Sequence, residues 1–135
     1  MKKITLRWQR LIDDTNQTCP RCSETGETVE SAFIKLKTAL TELGIEVELV
    51  KESLDILGFN QNPLQSNSIW INGKLIEEWF GGKTGKSKCC EVCGDSECRT
   101  ISLGENTFES IPVYLMVKAG VFAAAELIEG YNWRC

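Results

Sequence analysis

The chain has 135 residues, with 19 acidic and 15 basic side chains, seven cysteines and no histidine. That length suits one compact domain, and a net charge of −4 argues against a nucleic-acid partner, which requires a basic face. Without imidazole, Cys-His and Ser-His nucleophilic catalysis is excluded, and any transition-metal site must rest mainly on thiolates, which suits zinc, Cu(I) or an Fe–S cluster.

The start, Met1-Lys2-Lys3, is basic, but no apolar signal core follows it, so the expected location is a reducing cytoplasm. Clustered cysteines there are more often catalytic or metal-binding than structural disulfides. Ile4, Leu6 and Trp8 alternate with Thr5, Arg7 and Gln9, which predicts a strand over Ile4 to Ile12. A polar loop, Asp13 to Thr18, leads to Cys19. Val29, Ala32, Phe33, Leu36, Ala39, Leu40 and Leu43 then recur at three- and four-residue steps. They predict an amphipathic helix from about Glu27 to Leu43, with Thr25 as N-cap and Gly44 ending it.

Ile45, Val47 and Leu49 alternate with Glu46 and Glu48, giving a second strand with one wet face. Strand, helix and strand with short links make a βαβ unit, so the two strands should be parallel. Residues 51 to 66 read as a connector with one helical turn around Leu54 to Leu57. Ile69 to Ile76 reads as a hairpin turning at Asn72-Gly73, a type I′ signature.

Residues 80–98 read as a cysteine-rich insertion. Gly81 to Lys86 is flexible and basic, and it lacks the spaced first glycine and the context of a phosphate loop. Arg99 to Phe108 reads as a second small hairpin around Gly104-Glu105-Asn106. Pro112 opens the last helix, where its missing N–H is harmless. The apolar run Ile111 to Ile128 is broken by Lys118 and Glu126, so a buried helix is expected and no membrane span. By periodicity most aromatic residues, Trp8, Phe33, Phe59, Trp70, Trp79, Phe108, Tyr114 and Phe122, belong to the core.

Chemistry concentrates in two cysteine groups. In Cys19-Pro20-Arg21-Cys22, between a strand and a helix, two thiols are spaced to close a small disulfide. A thiol attacks as thiolate, which a helix N-terminus and the Arg21 charge both favour. Cys19, on the loop side, would attack, and Cys22 would resolve the mixed disulfide; Pro20 stiffens the bridge. The same spacing suits half of a zinc site, which Cys90 and Cys93 would complete. The second group, Cys89, Cys90, Cys93 and Cys98, lies in a polar segment that a metal or disulfides would have to order. Zinc is the leading expectation for these four thiols; an Fe–S cluster or a second dithiol exchanging with Cys19 and Cys22 are the alternatives. Cys135, the last residue of the sequence, reads as an ordinary exposed cysteine.

Strand, CxxC, helix, parallel strand, connector, hairpin and last helix resemble, in that order, a thioredoxin-like fold. Ser66 to Gly73 resembles the glutaredoxin and thioredoxin segment carrying a cis-proline and an Ile-Asn-Gly turn. The chain resembles more closely, over roughly residues 4 to 128, a prokaryotic thioredoxin-like family, a domain of unknown function. That family combines a CPxC pair, the same hairpin, a later cysteine cluster and an Ile-Pro helix start. The resemblance implies an α/β fold with a central mixed sheet, flanking helices and a cysteine-rich insertion before the last helix. It implies that Cys19 is the nucleophile and Cys22 the resolving thiol, with Asn67 in the cis-proline's place facing them and Asp13 near a buried acid. Proline there helps to exclude metal, so Asn67 makes metal binding at Cys19 and Cys22 more plausible.

Two functions follow. The first is a thiol–disulfide oxidoreductase that needs no redox cofactor and acts on protein or small-molecule disulfides, with no nucleic-acid or membrane partner. The second is a non-catalytic thiolate module that stores, senses or delivers zinc or another thiophilic ion.

Overall fold

The computed structural model describes residues 2–11, 20–54, 68–88 and 97–128. Within them the chain is a mixed α/β structure with two sheets and three helices. The elements in order are β1 (Lys2–Leu11), α1 (Pro20–Thr41), β2 (Ile45–Leu54), β3 (Ser68–Ile71), β4 (Lys74–Leu75), α2 (Ile76–Phe80), β5 (Lys83–Lys88), β6 (Glu97–Leu103), β7 (Asn106–Phe108) and α3 (Val113–Ile128).

The first sheet has the order β2-β1-β3-β4. β1 and β2 are parallel from Lys2↔Ile45 to Leu11↔Leu54, as the βαβ pattern requires. β3 runs antiparallel to β1, from Leu6↔Ile71 to Gln9↔Ser68, and returns as β4. Both turn residues have positive φ, 52° at Asn72 and 80° at Gly73, the geometry expected for a type I′ hairpin. The turn is fastened to the central strand: Thr5 N donates to Asn72 Oδ1 at 2.9 Å, and Asn72 N donates to Thr5 O at 3.1 Å.

Alternation in β1 puts Ile4, Leu6 and Trp8 on one face, at 0%, 0% and 3% exposure, where α1 and α3 cover them. The other face carries the ion pairs Lys3–Glu48 (3.2 Å) and Arg7–Glu52 (3.1 Å). Their side chains are partly solvated, so each contributes at most about 1 kcal/mol.

α1 buries Thr25, Val29, Ala32, Leu36 and Leu40, one stripe at helical spacing. α3 buries Leu115, Met116, Ala119, Gly120, Ala123 and Ala124. The two helices approach closely because Gly120 has no side chain: a Cβ there would stand 2.6 Å from both Leu36 methyls. Leu36 is fully buried and has little room to yield. Gly120→Ala is therefore expected to lose about 1 kcal/mol of stability in chemical denaturation, although alanine is the better helix former. Adding Leu36→Val should recover part of that loss. A stabilised Gly120→Ala protein would show that the helix contact is loose.

Several expectations need correcting. α1 begins at Pro20, seven residues before the expected Glu27, and Thr25 lies inside it rather than capping it. Leu43 falls beyond the helix and is 53% exposed, while Gly44 stops the helix as expected, with φ 71°. β2 continues to Leu54 through part of the expected connector, because all ten of its residues pair with β1. Ile76 starts α2 and does not end a strand. Lys83–Lys88 is a strand and no flexible loop: pairing with β6 from Lys83↔Ser102 to Lys88↔Glu97 overrides its polar, glycine-containing sequence. It joins β6 and β7 in a second sheet, of order β5-β6-β7, that the sequence did not lead us to expect. The β6–β7 hairpin turns at Gly104 as expected (φ 63°). Tyr114 and Phe122 are 59% and 43% exposed, since α3 turns the opposite side to the core. Phe59 lies outside the described residues.

Candidate functional site

Pro20 is the first residue of α1, a position that suits it because its fixed φ is helical and its missing N–H would have no intrahelical acceptor. Arg21 and Cys22 follow within the first turn of this 22-residue helix. Cys19, which is bonded to Pro20, lies outside the described residues, as do Asp13, Asn67, Cys89, Cys90, Cys93 and Cys135. The CPRC motif thus opens the helix that covers the central strand. A first-turn residue lies where backbone N–H groups lack helical partners and the helix dipole is positive.

Two further contacts fix this end of α1. Gly26, one turn after Cys22, lies against the indole of Trp8: a Cβ on Gly26 would be 2.6 Å from Trp8 Cη2. Trp8 is 3% exposed, and the Arg10 guanidinium lies 4.8 Å from its ring centroid. On the other side, the segment leading into α3 is bonded to the first turns of α1. Ser110 Oγ donates to Glu24 Oε2 at 2.6 Å, and Thr28 Oγ1 donates to Ile111 O at 2.7 Å. A longer bond of 3.4 Å runs from Ile111 N to Thr25 Oγ1. Thr25 is fully buried, so its hydroxyl serves a tertiary contact in place of the cap that its sequence position suggested.

Of the second cysteine group, Cys98 alone is among the described residues. Cys98 is the second residue of β6 and pairs with Ser87. Lys88↔Glu97 is the last pair of the ladder among the described residues, and Cys89, Cys90 and Cys93 fall between these two residues in sequence. Arg99, next to Cys98, is pinned from below. Its Nη2 donates to Glu77 Oε2 at 2.9 Å, and Thr84 Oγ1 donates to the same oxygen at 2.6 Å. Glu77 and Arg99 are 2% and 6% exposed, an ion pair buried between α2 and the hairpin. Among the described residues, no three Cys, Asp or Glu side chains are grouped to hold a metal ion.

Sequence reasoning missed Glu24, Gly26, Ser110, Glu77 and Arg99. Thr25 was detectable in principle, since it falls on the apolar stripe four residues before Val29. The Glu77–Arg99 pair leaves no such trace, because its members are 22 residues apart on separate elements.

The chain belongs to the family described as Domain of unknown function (DUF2703), which matches residues 4–120. It is 42% identical over 114 residues to an "Uncharacterized protein" of Archaeoglobus fulgidus, covering 84% of this chain and 82% of that one. No solved structure matches the chain. No helix among the described residues is long and apolar enough to cross a membrane.

Proposed function

We propose that the chain is a thioredoxin-like thiol–disulfide oxidoreductase working through Cys19 and Cys22 in a reducing cytoplasm. The observation that carries this reading is the start of α1 at Pro20, which puts Cys22 in the first turn and makes Cys19 the residue before it. A helix N-terminus lowers a thiol's pKa and raises its thiolate fraction near neutral pH. The strand order β2-β1-β3-β4, with only β3 against the direction of β1, supports the thioredoxin-like architecture.

In this reading the Cys19 thiolate attacks one sulfur of a protein or small-molecule disulfide, and the first substrate thiolate leaves. Cys22 then attacks the Cys19 sulfur, and the second substrate thiolate departs. The substrate gains two electrons, and the pair becomes a Cys19–Cys22 disulfide. No redox cofactor is required, but a thiol must reduce the pair again. Arg21 adds positive charge beside the thiols, Pro20 restrains the bridge, and by the thioredoxin resemblance Asn67 would stand in the cis-proline's place.

The test is disulfide reduction with dithiothreitol as electron source. Cys19→Ser is expected to lower the rate by about a hundredfold or more, since a hydroxyl forms no nucleophilic anion at neutral pH. Unchanged turnover would overturn the reading. Zinc or Co(II) bound at Cys19 and Cys22, with no disulfide turnover, would make the chain a thiolate metal-binding module.

A further inference from the structure

We propose that the chain pairs with a second copy of itself through the outer face of α3, antiparallel, with the two-fold axis at Phe122. This pairing is independent of the chemistry at Cys19 and Cys22.

α3 is apolar on every side. Across Val113–Ile128 the charged residues are Lys118 and Glu126, and the one other polar side chain is Tyr114. A helix of that composition is ordinarily covered all round. Among the described residues, however, α1, α2 and the sheet pack on one side of it. On the other side Tyr114 is 59% exposed, Val121 50% and Phe122 43%. With half-buried Val117 and exposed Ala125 they form a stripe at three- and four-residue steps. The stripe runs about 17 Å along the helix. Phe108 extends it at one end, its ring edge-on to Tyr114 with centroids 6.4 Å apart. Of six exposed large apolar or aromatic side chains among the described residues, three lie on this stripe. Such residues scattered singly are ordinary, whereas a contiguous patch marks an interaction surface.

The charges identify the occupant. Lys118 and Glu126 are both exposed, four residues before and four after Phe122. The three residues stand on one ridge of the helix, since i and i+4 positions line up. Lys118 Nζ lies 6.0 Å from the Phe122 ring centroid. Reversing the helix about Phe122 therefore exchanges a positive end for a negative one. Two copies packed antiparallel, ridge beside ridge, set Phe122 against the partner's Phe122. The same rotation sets Lys118 beside the partner's Glu126, twice by symmetry. A parallel pair would bring like charges together. An anionic membrane surface would meet one cation and one acid here, whereas interfacial helices carry several basic residues. One helix per copy is a small interface, so a dissociation constant of about 10 µM is expected.

The test is sedimentation velocity under a thiol reductant, which removes disulfide-linked species, from about 1 to 300 µM chain. The original protein should show a monomer–dimer equilibrium. Phe122→Glu should weaken it about a hundredfold or more, because it places two carboxylates on the axis. Lys118→Glu sets acid against acid at both outer contacts, and Glu126→Lys sets lysine against lysine. Each should weaken pairing about tenfold. An equimolar mixture of these two variants should regain dimers, because opposite charges then meet at both contacts. The swapped variant Lys118→Glu/Glu126→Lys should pair like the original. Both positions are exposed, so these variants are expected to keep the fold, and circular dichroism checks it. A chain monomeric throughout the range would overturn the proposal, as would a dimer indifferent to Phe122→Glu. Charge variants that pair as well as the original, or a mixture that stays monomeric, would equally overturn it.

Discussion

Arg99→Met should destabilise the protein by about 3–5 kcal/mol, because the change leaves the Glu77 carboxylate buried without its cation. Glu77 is 2% exposed, and its Oε1 already has no hydrogen-bond partner among the described residues, so solvent cannot compensate. In thermal unfolding the loss corresponds to a midpoint lower by roughly 10–20 °C for a chain of this size. The double change Glu77→Met/Arg99→Met should restore most of the stability, since two apolar chains of similar length fill the site without a stranded charge. An Arg99→Met protein as stable as the original would mean that water reaches Glu77 and that the hairpin is not pinned there. Since Arg99 neighbours Cys98, the same change should alter the reactivity of the hairpin thiols more than that of Cys19 and Cys22.

Gly26→Val is expected to cost about 2–3 kcal/mol and to lower disulfide turnover along with it. A Cβ at Gly26 overlaps the Trp8 ring at 2.6 Å, and the ring is buried at 3% exposure. A stiff indole cannot yield as a flexible side chain would, so the backbone of α1 must move. Gly26 is one turn from Cys22, and that movement therefore reaches the thiol pair. Pairing Gly26→Val with Trp8→Leu makes room, and the double variant should be more stable than the sum of the single effects predicts. Urea denaturation of the four proteins of this cycle gives the coupling energy. Additive effects would show that the helix start is not set by the Trp8–Gly26 contact.

Much of the frame was legible because its signals are local. Alternation of Ile4, Leu6 and Trp8 dictates a strand with one buried face, whatever packs on it. Val29, Ala32, Leu36 and Leu40 fall on one side of a helix for the same reason. Asn72-Gly73 and Gly44 announce their turns through the positive φ they tolerate. The CPRC motif was visible as chemistry, but its position relative to α1 was misread.

Tertiary structure decided the remainder through partners far along the chain. Thr25 looks like a cap when only its neighbours are considered; its hydroxyl instead accepts from Ile111, 86 residues away, and the helix runs back to Pro20. Lys83–Lys88 has no apolar alternation, yet it becomes a strand because β6 satisfies its backbone. Glu77 and Arg99 lie on separate elements 22 residues apart, and only folding buries them together. Periodicity thus determined which faces turn inward, since it depends only on spacing between neighbours. Which polar groups meet, and hence where α1 begins and where the cysteine hairpin is anchored, depended on hydrogen bonds that no local pattern encodes.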